Sequence, residues 1–86
     1  MENGQPRPLY EITDEIMDAW PAGVSIGRNQ AAPYIAAMRE LTLVTDMYGM
    51  EDGTGVVRYF LSNASTWRGD VARRIKAELR GMIAAR

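Results

Sequence analysis

Carboxylates are the residues of this 86-residue chain best suited to catalysis. Close pairs considered for such a role are Asp14/Asp18 at helical spacing and Glu51/Asp52 as neighbours. Acid–base catalysis by two carboxyl groups requires a desolvated cleft that separates their pKa values. The first pair falls on the polar face of a predicted helix and the second in a loop predicted over residues 51–55. Neither position predicts a cleft.

The chain contains no Cys and no His. Their absence excludes thiol nucleophiles, disulfides, Cys/His metal sites and the commonest general base. We therefore expect a protein that is not an enzyme, with no catalytic residue, no cofactor and no metal site.

The last third of the chain carries cations at helical spacing. Arg73, Lys76 and Arg80 recur at intervals of three and four residues, so a helix would present them on one side. Small residues beside them would allow another helix to approach closely. This pattern predicts a partner-binding surface formed by Arg73, Ala77, Arg80, Gly81 and Ala84.

Nucleic-acid binding is the alternative interpretation of the same cations. Basic side chains neutralise phosphates, and an aromatic ring such as that of Trp67 can stack on a base. Two observations weigh against it: the sequence pI is about 5.3, and a Trp at this position is more often a core residue. The residues that would serve this alternative are Arg58, Arg68, Arg73, Arg74, Lys76 and Arg80.

Charge is divided unevenly along the chain. Residues 1–52 carry nine acidic and three basic side chains, a net charge of −6, whereas residues 53–86 carry seven basic and two acidic ones, a net charge of +5. Such asymmetry can steer head-to-tail self-association or select a charged protein partner. The plainer alternative is that these charges are ordinary solvated helix surface.

Hydrophobic periodicity predicts the elements that must position these groups. Apolar residues recur at helical spacing in four segments, separated by breaks rich in Gly, Pro and Ser. In the third segment, residues 56–61 have the composition of a strand, but their spacing favours a helix. Trp67 follows that segment and is expected to fill the corner before the last helix. The prediction is an all-α fold, a compact four-helix irregular or orthogonal bundle with helices at about 9–20, 33–48, 56–64 and 69–85.

The length of the chain suits one domain. Residues 1–8 are polar and rich in Pro and Gly, so we expect a flexible arm there and a single helical domain over residues 9–86. The beginning of the chain lacks the apolar segment of a secretory signal, and no apolar run reaches membrane-spanning length. We therefore expect a cytoplasmic protein without a membrane partner.

Short motifs follow one another in the order Pro33-Tyr34-Ile35 with Ala37-Met38, Tyr48-Gly49, Val57-Arg58-Tyr59-Phe60-Leu61 with Asn63-Ala64, Trp67-Arg68-Gly69, and residues 72–79. Over residues 9–83 this order resembles small uncharacterised helical proteins encoded by phages of actinobacteria. The resemblance implies an accessory phage protein in the host cytoplasm that binds a host or phage protein. It also leaves DNA binding, or a minor virion or assembly role, open, and it assigns no functional residue.

Together these observations predict a small non-enzymatic helical interaction module. Its partner would be an unidentified protein or a second copy of the chain, bound through the basic C-terminal helix. Nucleic-acid binding by the basic C-terminal half is the alternative function.

Overall fold

The computed structural model describes residues 7–21 and 30–84, where the chain forms four helices and one short two-stranded sheet. The mostly helical fold is confirmed, whereas the sheet was not predicted. Residues 1–6 of the predicted arm and residue 85 of the predicted last helix lie outside the described residues. The elements are α1 (Leu9–Ala19), α2 (Ala32–Met38), β1 (Met47–Tyr48), β2 (Glu51–Asp52), α3 (Gly53–Asn63) and α4 (Asp70–Ala84).

Helix α1 follows its predicted apolar stripe closely. Leu9, Ile12 and Ile16 are completely buried, because their spacing of three and four residues places them on one side of the helix. The helix ends at Ala19, one residue before the predicted end. The residue that precedes a proline disfavours helical backbone angles, and Pro21 follows Trp20 directly.

Helix α2 is much shorter than predicted. The predicted helix over residues 33–48 is wrong beyond Met38, because the following backbone serves other elements. The first N–H groups of α1 have no partner within their own helix. The Leu9 N–H donates to the Thr42 carbonyl at 2.9 Å, and the Tyr10 N–H donates to the Leu41 carbonyl at 3.0 Å.

The start of α3 also forms hydrogen bonds with the segment that follows α2. The Gly53 N–H donates to the Asp46 carbonyl at 2.8 Å, and the Thr54 N–H donates to the Val44 carbonyl at 2.9 Å. The Asp46 side chain accepts hydrogen bonds from the N–H groups of residues 42 and 43. Such a side-chain bond competes with helical hydrogen bonding. Residues 39–46 therefore connect α1 and α3 instead of extending α2.

Strands β1 and β2 form an antiparallel hairpin around a two-residue turn, Gly49-Met50. Gly49 has a φ of +64°, a backbone angle that favours glycine, and Gly at the first position is typical of a tight hairpin turn. The paired residues are Met47 with Asp52 and Tyr48 with Glu51.

Helix α3 confirms that residues 56–61 are helical. It begins at Gly53, so the predicted loop over residues 51–55 is wrong from residue 53 onward. Asp52 caps the helix, because its carboxylate accepts a hydrogen bond from the Gly55 N–H at 3.0 Å. Gly53 also passes close to the backbone of Val44. A Cβ atom on Gly53 would lie 2.7 Å from the Val44 Cα.

Trp67 fills the corner between α3 and α4, as predicted. Its ring stacks on that of Trp20 with the centroids 5.3 Å apart, and it meets the Phe60 ring edge-on at 6.5 Å. Only 4% of Trp67 is exposed. Around this corner α2 packs on α3, α1 packs on α2 and α4, and α3 packs on α4. The arrangement directs one side of α4 into the core and leaves the other outside.

Candidate interaction surfaces

Helix α4 divides into a buried side and an exposed side. Ala72, Ile75 and Leu79 point into the core. The opposite side carries every residue of the predicted partner-binding surface, and each of them is exposed. We call this set the α4 outer face: Arg73, Ala77, Arg80, Gly81 and Ala84.

The α4 outer face is open around its glycine. A Cβ atom added to Gly81 would meet no other atom within 4 Å. A glycine inside an exposed helix costs about 1 kcal/mol relative to alanine, and no close approach within the described fold accounts for that cost.

The two arginines of the α4 outer face keep their charges at the surface. Arg73 forms an ion pair with Asp70 one turn away, and both side chains are largely exposed. Exposed pairs of this kind contribute little to stability. Arg80 forms no ion pair with any residue in the two described ranges.

Lys76 turns inward instead of joining the exposed cations. Its Nζ donates hydrogen bonds to the Ala64 and Trp67 carbonyls, each at 2.7 Å, and lies 6.0 Å from the centre of the Trp67 ring. Burial lowers the pKa of Lys76, and the nearby charges of Arg80 and Arg68 lower it further. Lys76 therefore stabilises the corner that ends α3.

Arg74 belongs to an ion cluster that joins the two ends of the chain. Arg74 pairs with Glu15 on α1, and Arg7 bridges Glu15 at 3.0 Å and Glu78 at 2.7 Å. The hydrogen bond from Arg74 lowers the pKa of Glu15, and Arg7 lowers it further. The hydrogen bond to Glu78 raises the pKa of Arg7. The cluster contains one cation and one anion from each half of the chain, so it joins the two halves and leaves their net charges of −6 and +5 unchanged.

The residues of the nucleic-acid alternative are in different environments. Arg58 lies exposed on α3 and Arg68 lies exposed in the connection before α4. Arg74 and Lys76 are engaged as described above, and Trp67 is buried, so its ring faces are covered. Four of the six predicted cations are exposed and make no such contact to another element. They are Arg58, Arg68, Arg73 and Arg80.

The two carboxylate pairs differ in their surroundings. Asp14 and Asp18 are exposed on α1, Glu51 is exposed on β2, and Asp52 caps α3. Across residues 7–21 and 30–84, no three potential metal ligands cluster together. In the same ranges, no helix combines the length and the apolar character needed to cross a membrane.

A second exposed surface lies on and beside the hairpin, where the sequence analysis predicted a helix. Its large apolar side chains are unusually open: Met50 is 98% exposed and Met47 is 60% exposed. The glycine before Met50 was the signal for a hairpin, because it stands at the first position of a two-residue turn. We call this surface the hairpin patch: Leu43, Met47, Tyr48 and Met50.

Comparisons with protein-family models, with curated proteins and with solved structures found no match to this chain.

Proposed function

We propose that this protein is a non-enzymatic interaction module that binds a protein partner through the α4 outer face. The observation that supports the proposal is that all five residues of that face are exposed on a helix whose other side is buried in the core. In contrast, Arg74 and Lys76 on the same helix are committed to contacts within the fold.

The chemistry of the α4 outer face suits a protein partner. Arginine is enriched at protein interfaces, where its planar head binds carboxylates through paired hydrogen bonds. The small residues between Arg73 and Arg80, and after them, leave space for a protruding side chain or a second helix. The expected partner is therefore a surface that combines acidic groups with apolar side chains.

The nucleic-acid alternative receives less support from this geometry. An aromatic platform needs an accessible ring, whereas Trp67 is covered by Trp20 and Phe60. Of the exposed cations that remain, Arg58 lies on α3 and Arg68 in the connection before α4, apart from the pair on α4, and the ion cluster uses Arg74.

Two broader expectations belong to the proposal. The irregular or orthogonal bundle is supported by the contacts of α4 with both α1 and α3. The assignment to a phage accessory protein of the host cytoplasm rests on the sequence resemblance.

The proposal is tested by capture of partners from the native cell with a charge-reversed variant. R73E/R80E reverses both arginines of the α4 outer face and should lose the partners that the wild type retains. R58E/R68E is the matched control, because it changes the charge by the same amount at two exposed arginines elsewhere. Equal recovery by wild type and R73E/R80E would contradict the proposal.

A further inference from the structure

The hairpin patch projects from the fold. Met50 stands at the tip of the turn with 98% of its surface exposed, and Tyr48 and Leu43 are each almost half exposed. Methionine side chains are flexible and polarizable, and they are used at protein-binding surfaces because they adapt to the partner. Successive strand residues point to opposite faces, so Met47 and Tyr48 present apolar side chains on the two faces of the hairpin, with Met50 at its tip.

The chain segment that contains the hairpin patch carries charge of one sign. Between Arg39 and Arg58 the chain carries four acidic residues and no basic one. Two of these carboxylates, those of Asp46 and Asp52, accept backbone hydrogen bonds. Glu51, next to Met50, is exposed. The hairpin patch is therefore an apolar projection with an acidic border.

The α4 outer face has the complementary properties. It presents positive charge at Arg73 and Arg80, and it is open at Gly81, where an added Cβ atom would have no neighbour within 4 Å. An apolar projection with an acidic border fits a basic surface lined with small residues, because both charge and size are complementary.

We infer that the partner of the α4 outer face is the hairpin patch of a second copy of this chain. The inference rests on the proposed function and names the partner of the same surface. The two surfaces differ from each other, so each contact joins the hairpin patch of one copy to the α4 outer face of another. Two reciprocal contacts close a symmetric dimer, and single contacts propagate into open chains or closed rings.

The test is sedimentation velocity across a range of protein concentrations, at low and at high salt. The wild type forms dimers or larger species at low salt, and high salt weakens the association because charge contributes to it. E51K and R80E, each made alone, weaken association about three- to tenfold, because each replaces an attraction with a repulsion. The double variant E51K/R80E restores association, because opposite charges again face each other.

A second variant tests the apolar part of the contact. M50Q weakens association about tenfold, because burial of the methionine side chain is lost. Tyr10→Gln is the matched control, since Tyr10 is a half-exposed aromatic residue on α1 outside both surfaces. Thermal unfolding of M50Q should match that of the wild type, which separates lost binding from lost folding.

The outcomes separate the inference from the proposed function. A wild type that stays monomeric at all concentrations overturns the inference, as does a double variant that fails to recover association. Loss of association in R80E but not in E51K or M50Q also overturns it, while the proposed role of the α4 outer face survives. Association that persists unchanged in R80E also overturns the inference, whereas the proposed function is decided by partner capture with R73E/R80E.

Discussion

The corner around Trp67 and the hairpin patch differ in the exposure of their large side chains: the corner buries them and the hairpin patch exposes them. At the corner, Trp67 is 4% exposed and stacks on Trp20, and Lys76 satisfies two backbone carbonyls. At the hairpin, Met50 is 98% exposed. A domain of this size has little free energy of folding to spare. The apolar and basic groups that it leaves outside are therefore those available to a partner.

The same contrast divides two cations on α4. Lys76 and Arg80 are one turn apart, and the sequence places them on the same side of the helix. The Lys76 amine reaches the end of α3, whereas Arg80 remains exposed without an ion pair in the described part of the chain. Spacing alone does not separate a structural cation from one that is free to bind.

The largest test of this contrast compares two truncations. Trp67→Ala should lower the free energy of unfolding by about 3–5 kcal/mol, because it removes the buried ring of the corner. Met50→Ala should change it by less than about 0.5 kcal/mol, because the side chain is exposed. Urea unfolding measures both. Similar losses in the two variants would show that the hairpin patch is part of the core.

A smaller loss is expected where the hairpin segment meets α3. Gly53→Ala should destabilise the protein by about 1–3 kcal/mol, because the new Cβ would lie 2.7 Å from the Val44 Cα. Chemical denaturation checks this value. Wild-type stability in this variant would mean that α3 does not approach residue 44 so closely.

Lys76 and Arg80 can be separated by the same substitution. Lys76→Met should lower the free energy of unfolding by about 1–2 kcal/mol, because two backbone carbonyls lose their donor. Arg80→Met should alter it by less than about 0.5 kcal/mol. Thermal unfolding of both variants provides the comparison. Equal changes in the free energy of unfolding at the two positions would show that Lys76 does not stabilise the end of α3.

Gly81→Ala should have opposite effects on stability and on binding. Alanine stabilises the helix by about 1 kcal/mol, and the Cβ meets open space. The same methyl group obstructs a partner that approaches the α4 outer face closely. We expect a higher melting temperature together with weaker association or partner capture. Unimpaired binding in the stabilised variant would show that the partner does not contact Gly81.

The smallest effect concerns pH. The pKa of Glu15 is lowered in the folded protein by Arg74 and Arg7, so the ionised group stabilises the fold above its ordinary pKa of 4.5. This contribution disappears as the pH falls through the lower, folded pKa. Glu15→Gln should cost less than about 1 kcal/mol at pH 7, because the cluster is partly exposed, and nothing at a pH below the folded pKa. Unfolding measured at both pH values checks it, and a pH-independent difference would contradict it.

Local spacing predicted the features that depend only on which side of a helix is apolar and on side-chain type. The stripe of α1, the helical state of residues 56–61 and the burial of Trp67 all follow from periodicity and side-chain type. The end of α2 was not predictable in this way, because the carbonyls of residues 41, 42, 44 and 46 bind the N-termini of α1 and α3. A single sequence does not reveal which distant N–H group a carbonyl will meet.

The candidate surfaces likewise differ in how much of each could be predicted from local spacing. The exposure of the α4 outer face follows from helical spacing once the buried stripe is identified. The inward turn of Lys76 and the pairing of Arg74 with Glu15 depend on contacts 9 to 59 residues apart in the chain. The hairpin patch required recognition of a tight turn within a segment whose apolar spacing also fits a helix.

The most direct measurement of whether the α4 outer face binds a partner uses a spin label. Since the chain contains no Cys, Ala77→Cys provides a unique attachment site on that face, and Ser62→Cys provides an exposed control on α3. Electron paramagnetic resonance should show a mobile label at residue 77 in dilute protein. In the associated or partner-bound protein that label should be immobilised while the label at residue 62 stays mobile. Equal mobility of the two labels in the bound state would contradict the proposed role of the α4 outer face.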